Sequence, residues 1–221
     1  MAWKESGGYA GTFSPNAATV HAVTSIGPGN TYTVALKWKT NRPASGVTIH
    51  AGAGPWNGAY SPTSLVAWLS AAPQGTISAV STQQYRLSSS DGNAWLPIDD
   101  AVFARSITTE TPVAVILHAN ADLWTANGGV NQDLAIFLSI NHCPAQLIGW
   151  KESGGSAGTF SPNAAFLQSV ITLNPGNLYT FTLRWKANRP AAGRTIAIGA
   201  GPLGGHYSPT TLTVEEVTPL P

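Results

Sequence analysis

Apolar and polar residues alternate with a period of two along much of this chain. The stretch YTVALKWK, residues 32–39, places its large apolar side chains on one face and Thr, Ala and Lys on the other, and YTFTLRWK, residues 179–186, repeats the pattern. Such alternation predicts half-buried antiparallel strands. Trp38 and Trp185 fall on the apolar faces, so we expect both in the core, together with Trp68.

Other short segments carry the same strand signals, and stripes with a helical period are absent. We predict strands in VTIHAGAGP, RTIAIGAGP, SLVAWL and TLTVEEV, and in the middle of the chain in QYRLS, WLPI, AVFARSITT, PVAVILHA and DLAIFLSI. Turn residues recur at intervals of about 8–12 residues, which is typical of an antiparallel β-sandwich or jelly roll. The predicted fold class is therefore all-β.

An internal duplication organises the chain. Residues 3–65 align without a gap with residues 150–212 and are identical at roughly two-thirds of positions. We name the parts repeat A (1–69), a linker (70–79), segment B (80–149) and repeat A′ (150–221), and we expect B and A′ to form one jelly roll. Repeat A has no B in front of it, and a half-sandwich with an apolar face needs a partner.

The text around the second repeat carries a resemblance. NADLWTANGGVNQDLAIF, residues 120–137, followed by GWKESGGSAGTFSPNAAF, resembles a group of bacterial β repeat proteins. That resemblance implies no activity. The architecture is also similar to the jelly-roll heads of the tumour-necrosis-factor/C1q type and of phage fibre tips, which implies a tendency to form homo-oligomers but no shared active site.

Composition excludes several classes of function. The chain of 221 residues has a net charge of +1, with 10% charged residues and no basic run, so nucleic acid is not an expected partner. It shows neither a membrane-spanning run nor a secretory signal peptide. We expect an extracellular or particle-associated setting without such a signal, because low charge with abundant Gly, Ser, Thr and Trp is typical of extracellular β proteins.

Candidate catalytic chemistry is weak. No nucleophile elbow, zinc-protease or phosphate-loop pattern is present, and the aligned repeats share no histidine. His142 and Cys143 are adjacent, but adjacency alone does not make a dyad. The single Cys143 excludes an intrachain disulfide, and we expect it to be structural. We therefore expect a non-enzymatic protein.

Two polar segments are weak calcium candidates. SSSDGNAWLPIDD offers Asp91, Asn93, Asp99 and Asp100, and NADLWTANGGVNQD offers Asp122, Asn127, Asn131 and Asp133. Calcium needs several oxygen ligands that converge, and neither segment has the spacing of a known loop. Asp and Asn beside Gly are also ordinary turn residues, which is the favoured interpretation. No cofactor is expected, although calcium stays possible.

Loop tryptophans are the better candidates for binding. Trp56 and Asn57 lie in the Gly/Pro-rich GPWNGAY, and Trp124 and Asn127 lie in NADLWTANGGVNQ, which we predict to be a long polar loop. An exposed aromatic ring flanked by amides can stack on a sugar ring. The alternative, that these rings and Trp95 cap the sandwich, is equally compatible with the sequence.

The hexapeptide WKESGG opens both repeats and has two interpretations. In one, Trp3 with Glu5 and Trp150 with Glu152 are two equivalent ligand-binding surfaces. In the other, which we favour, the tryptophan plugs the end of a sandwich and the Gly-Gly pair turns the chain. Identity continues through AGTFSPNAA, further than a small contact site requires.

Two hypotheses of function follow. The first is a recognition module that binds surface glycans, or another cell-surface partner, through loops of a jelly roll, with avidity from repeated units. The alternative is a structural protein that self-assembles into an oligomer, ring or filament through strand exchange or packing of repeat A.

Overall fold

The computed structural model describes residues 3, 18–40, 43, 45–46, 49, 51, 63–65, 67, 76–154 and 163–217. The chain divides into two compact units. The larger unit comprises Met1–Val23 and Gln74–Pro221, and the smaller unit comprises Thr24–Pro73. The larger unit contains all the regular strands described below.

Two antiparallel sheets form the larger unit. Sheet 1 contains β1 (Thr76–Ser81), β2 (Tyr85–Arg86), β5 (Val113–Thr125), β8 (Asn163–Leu173), β10 (Ile196–Ile198) and β11 (Thr210–Val217). Sheet 2 contains β3 (Leu96–Pro97), β4 (Ala104–Ile107), β6 (Asn131–Ile140), β7 (Gln146–Gly154) and β9 (Tyr179–Ala187). Both sheets therefore combine strands of B with strands of A′. The predicted linker ends inside β1.

Sheet 1 is built around β5. This long strand pairs with β8 along one edge and with β11 and then β10 along the other. β1 pairs with β11, and β2 pairs with β10. In sheet 2 the order is β7, β6 and β9, after which β9 pairs with both β3 and β4. The predicted antiparallel β-sandwich of jelly-roll type is confirmed.

The core lies between the two sheets, where alternate residues of each strand are buried. β9 follows the predicted alternation along its whole length, with Phe181 and Leu183 fully buried and Trp185 2% exposed. The opposing face comes from β5, whose Leu117 and Leu123 are also buried. Alternation of this kind identifies a strand with one face against a core.

Beyond β1, β7 and β8, for which no strand was predicted, two details differ from the sequence prediction for B. The predicted strand AVFARSITT, residues 101–109, begins instead in a short helix, α1 (Asp100–Phe103), and the strand follows as β4. The helix forms here because the Asp99 carboxylate accepts from the backbone N–H groups of Ala101 and Val102, which is an N-cap. The predicted polar loop NADLWTANGGVNQ is also too long, since β5 continues through Thr125 and β6 begins at Asn131, so that residues 126–130 alone form the connection.

Repeat A does not reproduce the strand of its copy. The described residues 18–40 contain no strand, so the strand predicted at 32–39 is wrong. The side chains of its apolar row are exposed, and the prediction that Trp38 lies in the core is wrong as well. The exposed fractions are 48% for Tyr32, 63% for Val34, 50% for Leu36 and 65% for Trp38.

The other predicted strands of repeat A fall largely outside the described residues. Those of their residues that are described, namely 49, 51, 64, 65 and 67, lie outside any strand. Trp68 is not among the described residues.

The turn before the row is nevertheless the same in both copies. The Tyr32 hydroxyl accepts from Gly27 N at 2.9 Å and donates to Gly27 O at 3.3 Å. The Tyr179 hydroxyl makes the same two bonds to Asn174, at 2.8 and 3.2 Å. The central glycines of the two turns have φ of 77° at Gly29 and 80° at Gly176. Local sequence therefore produces the turn with or without the strand.

The two sheets meet along β7 and β8, which are consecutive in the chain and lie on different sheets. Gly149 of β7 packs closely against β8, because a Cβ placed there would lie 2.5 Å from Ser169 Oγ and 3.2 Å from Leu167 Cδ1. The part of the chain that the structure describes contains no helix with the length and apolarity needed to span a bilayer.

Candidate functional site

The outer face of sheet 2 gathers aromatic and charged side chains from three adjacent strands and one loop. Residues directly opposite each other on neighbouring strands share a face. The register places Glu152 opposite Asp133, and Asp133 opposite Lys186. We name this surface the outer patch, and its members are Trp95, Asn131, Asp133, Phe137, Trp150, Glu152, Arg184 and Lys186.

Trp150 is the exposed aromatic ring of the outer patch. It lies on β7 opposite Ala135, which is fully buried, and 53% of Trp150 is exposed. Asn131 Nδ2 donates to Glu152 Oε1 at 3.0 Å, so the carboxylate of the same WKESGG copy is held in place two residues away. Trp150 and Glu152 thus lie on one face, because residues i and i+2 of a strand point the same way.

Beside this pair, Asp133 and Lys186 form an ion pair. Lys186 Nζ lies 3.3 Å from Asp133 Oδ2, with side-chain exposures of 26% and 5% respectively. Burial raises the pKa of the Asp133 carboxyl, and the nearby Glu152 raises it further, whereas Lys186 acts in the opposite direction. Two carboxylates therefore face the patch, one bonded to Asn131 and the other paired with Lys186.

A second group of aromatic rings lies under the cations of β9. Lys186 Nζ is 5.2 Å from the centre of the Trp95 ring, and Arg184 Cζ is 5.1 Å from that of Phe137. The two rings meet edge to face with centres 5.7 Å apart. Cation–π contacts of this kind contribute about 0.5–1 kcal/mol each at exposed sites. They hold the two long cationic side chains flat against the sheet.

Three buried polar atoms on this face have no hydrogen-bond partner among the described residues: Asp133 Oδ1, Thr182 Oγ1 and Arg184 Nε. Thr182 lies opposite Phe137, and Arg184 lies opposite Ala135, so all three atoms belong to the outward side of β6 and β9. An unpartnered buried polar atom costs about 1–3 kcal/mol. A polar ligand that displaced the covering side chains would recover part of that free energy.

Only part of the outer patch was a candidate from sequence. Trp150 and Glu152 were ligand-binding candidates, and Asn131 and Asp133 were calcium candidates in a different segment. Pairing of β6 with β7 brings the two pairs together. Sequence reasoning missed Phe137, Arg184 and Lys186 and assigned Trp95 only to capping. The polar face of the predicted strand at 179–186 was the available signal for the two cations.

The other WKESGG copy is placed differently. Trp3 is half-buried, and its Cη2 lies 3.2 Å from the position of a Cβ on Gly201, in the loop after β10. Its environment is thus a packed loop, unlike that of Trp150. Glu5, Trp56 and Asn57 lie outside the described residues. At the second copy WKESG completes β7, and the second glycine of the predicted Gly-Gly turn, Gly155, lies outside the described residues.

Trp124 and Asn127 occupy structural positions at the end of β5. Trp124 Nε1 donates to Gly199 O at 3.0 Å, and the ring is half-buried at the end of the strand. The Asn127 side chain accepts from Thr195 N at 2.7 Å, and its backbone N–H donates to Thr125 Oγ1 at 3.1 Å. These contacts connect the end of β5 to the residues on either side of β10, Thr195 and Gly199.

The calcium candidates are distributed over different elements. Asp122 is fully buried on β5 in sheet 1, whereas Asn131 and Asp133 lie on β6 in sheet 2. Asp91 accepts from the backbone of Asn93 and Ala94, which makes it a turn residue. Among the residues that the structure describes, no group of three or more His, Cys, Asp or Glu side chains is arranged to hold a metal ion.

A second cluster lies on the outer face of sheet 1, where residues 18–23 of repeat A cover β5. Asn120 Nδ2 donates to Thr19 O at 2.8 Å, and the His21 and His118 rings stack with centres 4.8 Å apart. His118 Nε2 lies 3.6 Å from Glu215 Oε2. Burial lowers the pKa of both histidines, the neighbouring His21 lowers that of His118 further, and Glu215 opposes both shifts.

Cys143 lies in the tight connection between β6 and β7. Its backbone N–H donates to Ile140 O at 2.9 Å, and Ser139 Oγ donates to its carbonyl at 2.6 Å. The thiol is free and exposed. Asn141 and His142, which precede it, have φ of 50° and 62°, so they form the turn and do not lie on a strand.

These features define a jelly-roll β-sandwich with an aromatic and charged outer patch. No family model and no curated protein matches the sequence. Solved structures resemble it at low identity. A tumour necrosis factor, Eiger from S. frugiperda, matches 66% of this chain and 96% of its own, with 8% identity and a TM-score of 0.42. The VP2 subviral particle of infectious bursal disease virus matches 69% and 42%, with 13% identity and a TM-score of 0.36.

A structure of the same virus, Gx strain, matches 64% of this chain and 35% of its own, with 16% identity and a TM-score of 0.35. The chain thus spans less than half of the viral chains. All three are likenesses of fold, and the jelly-roll assignment itself rests on the strand pairing.

Proposed function

We propose that this protein is a non-enzymatic recognition module that binds glycans through the outer patch. The observation that carries the proposal is Trp150, which is 53% exposed on a strand while its neighbour Glu152 is held by Asn131. An aromatic ring left in solvent beside an oriented carboxylate has no evident use in packing. The proposal moves the binding surface from the predicted loops to the face of sheet 2.

The chemistry of the patch matches that of a sugar. The apolar face of a pyranose stacks on an indole ring, while its hydroxyl groups need both acceptors and donors at the edge of the ring. Glu152 supplies acceptors, and Lys186, which is partly exposed, supplies donors. Both acids of the patch already have partners in Asn131 and Lys186, which supports binding over acid–base catalysis.

Replacement of Trp150 tests the proposal. The chain is screened against a broad glycan array with and without calcium, and hits are quantified by the quenching of tryptophan fluorescence. Trp150→Ala is expected to abolish binding and to leave the urea midpoint unchanged. Val170→Ala, on β8 of the other sheet and 65% exposed, is the control for an exposed apolar side chain outside the patch and should bind as the parent does. An array without a reproducible ligand, or equal binding by Trp150→Ala, contradicts the proposal.

Self-assembly through repeat A is the second candidate function. It is supported by the exposed row Tyr32, Val34, Leu36 and Trp38, whose aligned residues are buried in β9. Large apolar side chains exposed close together in sequence favour an interaction surface. Sedimentation velocity across micromolar concentrations should show oligomers of the parent chain that Trp38→Asp dissociates. A parent chain that is monomeric throughout this range contradicts this candidate.

A further inference from the structure

The exposed apolar row of repeat A has a copy in A′, and that copy packs against a surface built by the same chain. In A′, β9 lies between β6 on one side and β3 and β4 on the other. Its apolar residues face the sandwich core, with Leu183 opposite Ile136 and Phe181 opposite Leu138. The strands β3, β4 and β6 all belong to residues 76–149, which we call the acceptor half.

Repeat A carries most of what the acceptor half contacts. Tyr32, Leu36 and Trp38 are identical to the buried Tyr179, Leu183 and Trp185. The turn that leads into the row is already formed, with the same hydroxyl–backbone bonds. Repeat A therefore has, in the same order, most of the apolar side chains that pack against the acceptor half in A′.

Repeat A is nevertheless the weaker occupant. Val34 replaces Phe181, and Ala51 replaces Ile198, both at fully buried positions, so the core would contain cavities. His50 stands where Ala197 is fully buried in A′. Cavities and a buried imidazole both destabilise a packed core. These differences favour A′ over repeat A as the occupant of the acceptor half.

The chain connection allows repeat A to reach its own acceptor half. β11 of A′ pairs antiparallel with β1, with Thr210 opposite Ser81 and Glu215 opposite Thr76. Residues 63–65 align with 210–212, and continuing without a gap places 66–68 against 213–215. Residues 69–75 separate this segment from β1. The same pairing would make 63–68 and β1 a hairpin joined by residues 69–75, because antiparallel strands can be joined by a direct local connection.

We propose that the acceptor half of this chain takes repeat A in place of A′, and that the two repeats are alternative halves of one jelly roll. A jelly roll made of repeat A followed by segment B would be a circular permutation of the observed jelly roll, in which segment B is followed by A′. This proposal and self-assembly both start from the exposed row of repeat A and share no other observation. This proposal adds the surface that would receive the row, residues 76–149 of the same chain. It also adds the register, in which Lys37 replaces Arg184 opposite Ala135.

The test uses a substitution in the full chain that prevents A′ from packing against the acceptor half. Phe181→Asp places a charge at a fully buried position, so A′ can no longer dock. If repeat A replaces A′, the Phe181→Asp variant keeps its β-sheet circular dichroism and a cooperative unfolding transition. Adding Val34→Asp, the aligned change in repeat A, removes the replacement and should abolish both. Val34→Asp alone is the matched control and should remain folded, since Val34 is 63% exposed.

A disulfide reports the register directly. Lys37→Cys and Ala135→Cys are introduced together with Cys143→Ser, which removes the native thiol. Residues directly opposite each other on paired strands lie within reach of a disulfide. The intramolecular bond should form in the Phe181→Asp background and be nearly absent without that change. Arg184→Cys with Ala135→Cys is the positive control for the observed form.

Each outcome decides the proposal. A folded Phe181→Asp variant with an intrachain bond between positions 37 and 135, lost on addition of Val34→Asp, supports it. A Phe181→Asp variant as unfolded as the double variant overturns it, and so does a bond that forms only between chains, which would identify a second copy as the occupant. Sedimentation of the parent chain tests self-assembly separately, so the failure of one proposal does not imply failure of the other.

Discussion

The two copies of one strand sequence, residues 32–40 and 179–187, have opposite environments in the same molecule. In A′ the sequence is β9, with alternate side chains buried between two neighbouring strands. In repeat A the described residues form no strand, and all four apolar side chains are about half exposed or more. Three of those four apolar residues are identical in the two copies. Their intrinsic strand preference is therefore nearly equal.

This difference separates local from long-range determinants of structure. The turns at 27–32 and 174–179 have the same hydrogen bonds, and the glycines at 46 and 193 share a positive φ of 74° and 70°. These features depend on residues close in sequence. A strand needs partners, and β9 obtains them from segment B. Preference for strand structure thus expresses itself only where neighbouring strands are supplied.

The largest expected change in the free energy of unfolding comes from comparing alanine substitutions at the two aligned tryptophans, Trp185 and Trp38. Trp185→Ala should lower the free energy of unfolding by about 3–5 kcal/mol, because the ring is 2% exposed in the core. Trp38→Ala should change it by less than about 0.5 kcal/mol, because the ring is 65% exposed. Urea unfolding followed by circular dichroism measures both. Equal losses for the two variants would show that Trp38 is packed in solution and would remove the contrast between the repeats.

The sequence was sufficient to predict the all-β class and most strands of B and A′. Alternation identified β9 and β11, and the buried runs of β5 and β6 identified the central strands. It was insufficient for repeat A, because the same alternation predicts the same strand whether or not a partner is present. It also missed the end of β5, since Trp124 and Thr125 lie in a polar stretch that reads as a loop.

The candidate site was predicted in fragments. Trp150 with Glu152, and Asn131 with Asp133, were each selected for their chemistry, but on separate segments. Their meeting depends on the β6–β7 register, in which Asp133 lies opposite Glu152. Register across a pair of strands is set by the packing of whole faces, so residue types alone do not reveal it. Trp95 joins the patch through contacts with Phe137 and Lys186.

A change of intermediate effect concerns Gly149, which precedes A′ where Ala2 precedes the aligned Trp3 of repeat A. Gly149→Ala, which introduces the residue that repeat A has at position 2, should lower the free energy of unfolding by about 1–3 kcal/mol, because its Cβ meets Ser169 Oγ and Leu167. Ser169→Ala, which introduces the aligned Ala22, should recover most of that loss in the double variant. Thermal unfolding of the four chains completes the cycle. Additive effects of the two changes would contradict the assigned contact.

The smallest effect concerns His21, which stands where A′ has Gln168. Burial lowers the pKa of His21 and His118 below the ordinary value of about 6.5, despite Glu215 beside them. The unfolded chain then binds protons more readily than the folded chain. The stability that the neutral pair contributes is present above pH 6.5 and is lost as pH falls through the folded-state pKa values.

His21→Gln, the residue of the other copy, should therefore make the urea midpoint fall less steeply than in the parent chain between pH 7.5 and 5.5. The comparison of slopes removes the contribution of groups that titrate alike in both chains. His118 would keep its buried position but would no longer face a second imidazole, so its own dependence should also weaken. Identical slopes would mean that residues 18–23 leave β5 before either ring is protonated. The contact between repeat A and sheet 1 would then be weaker than the stacked rings and the Asn120–Thr19 bond indicate.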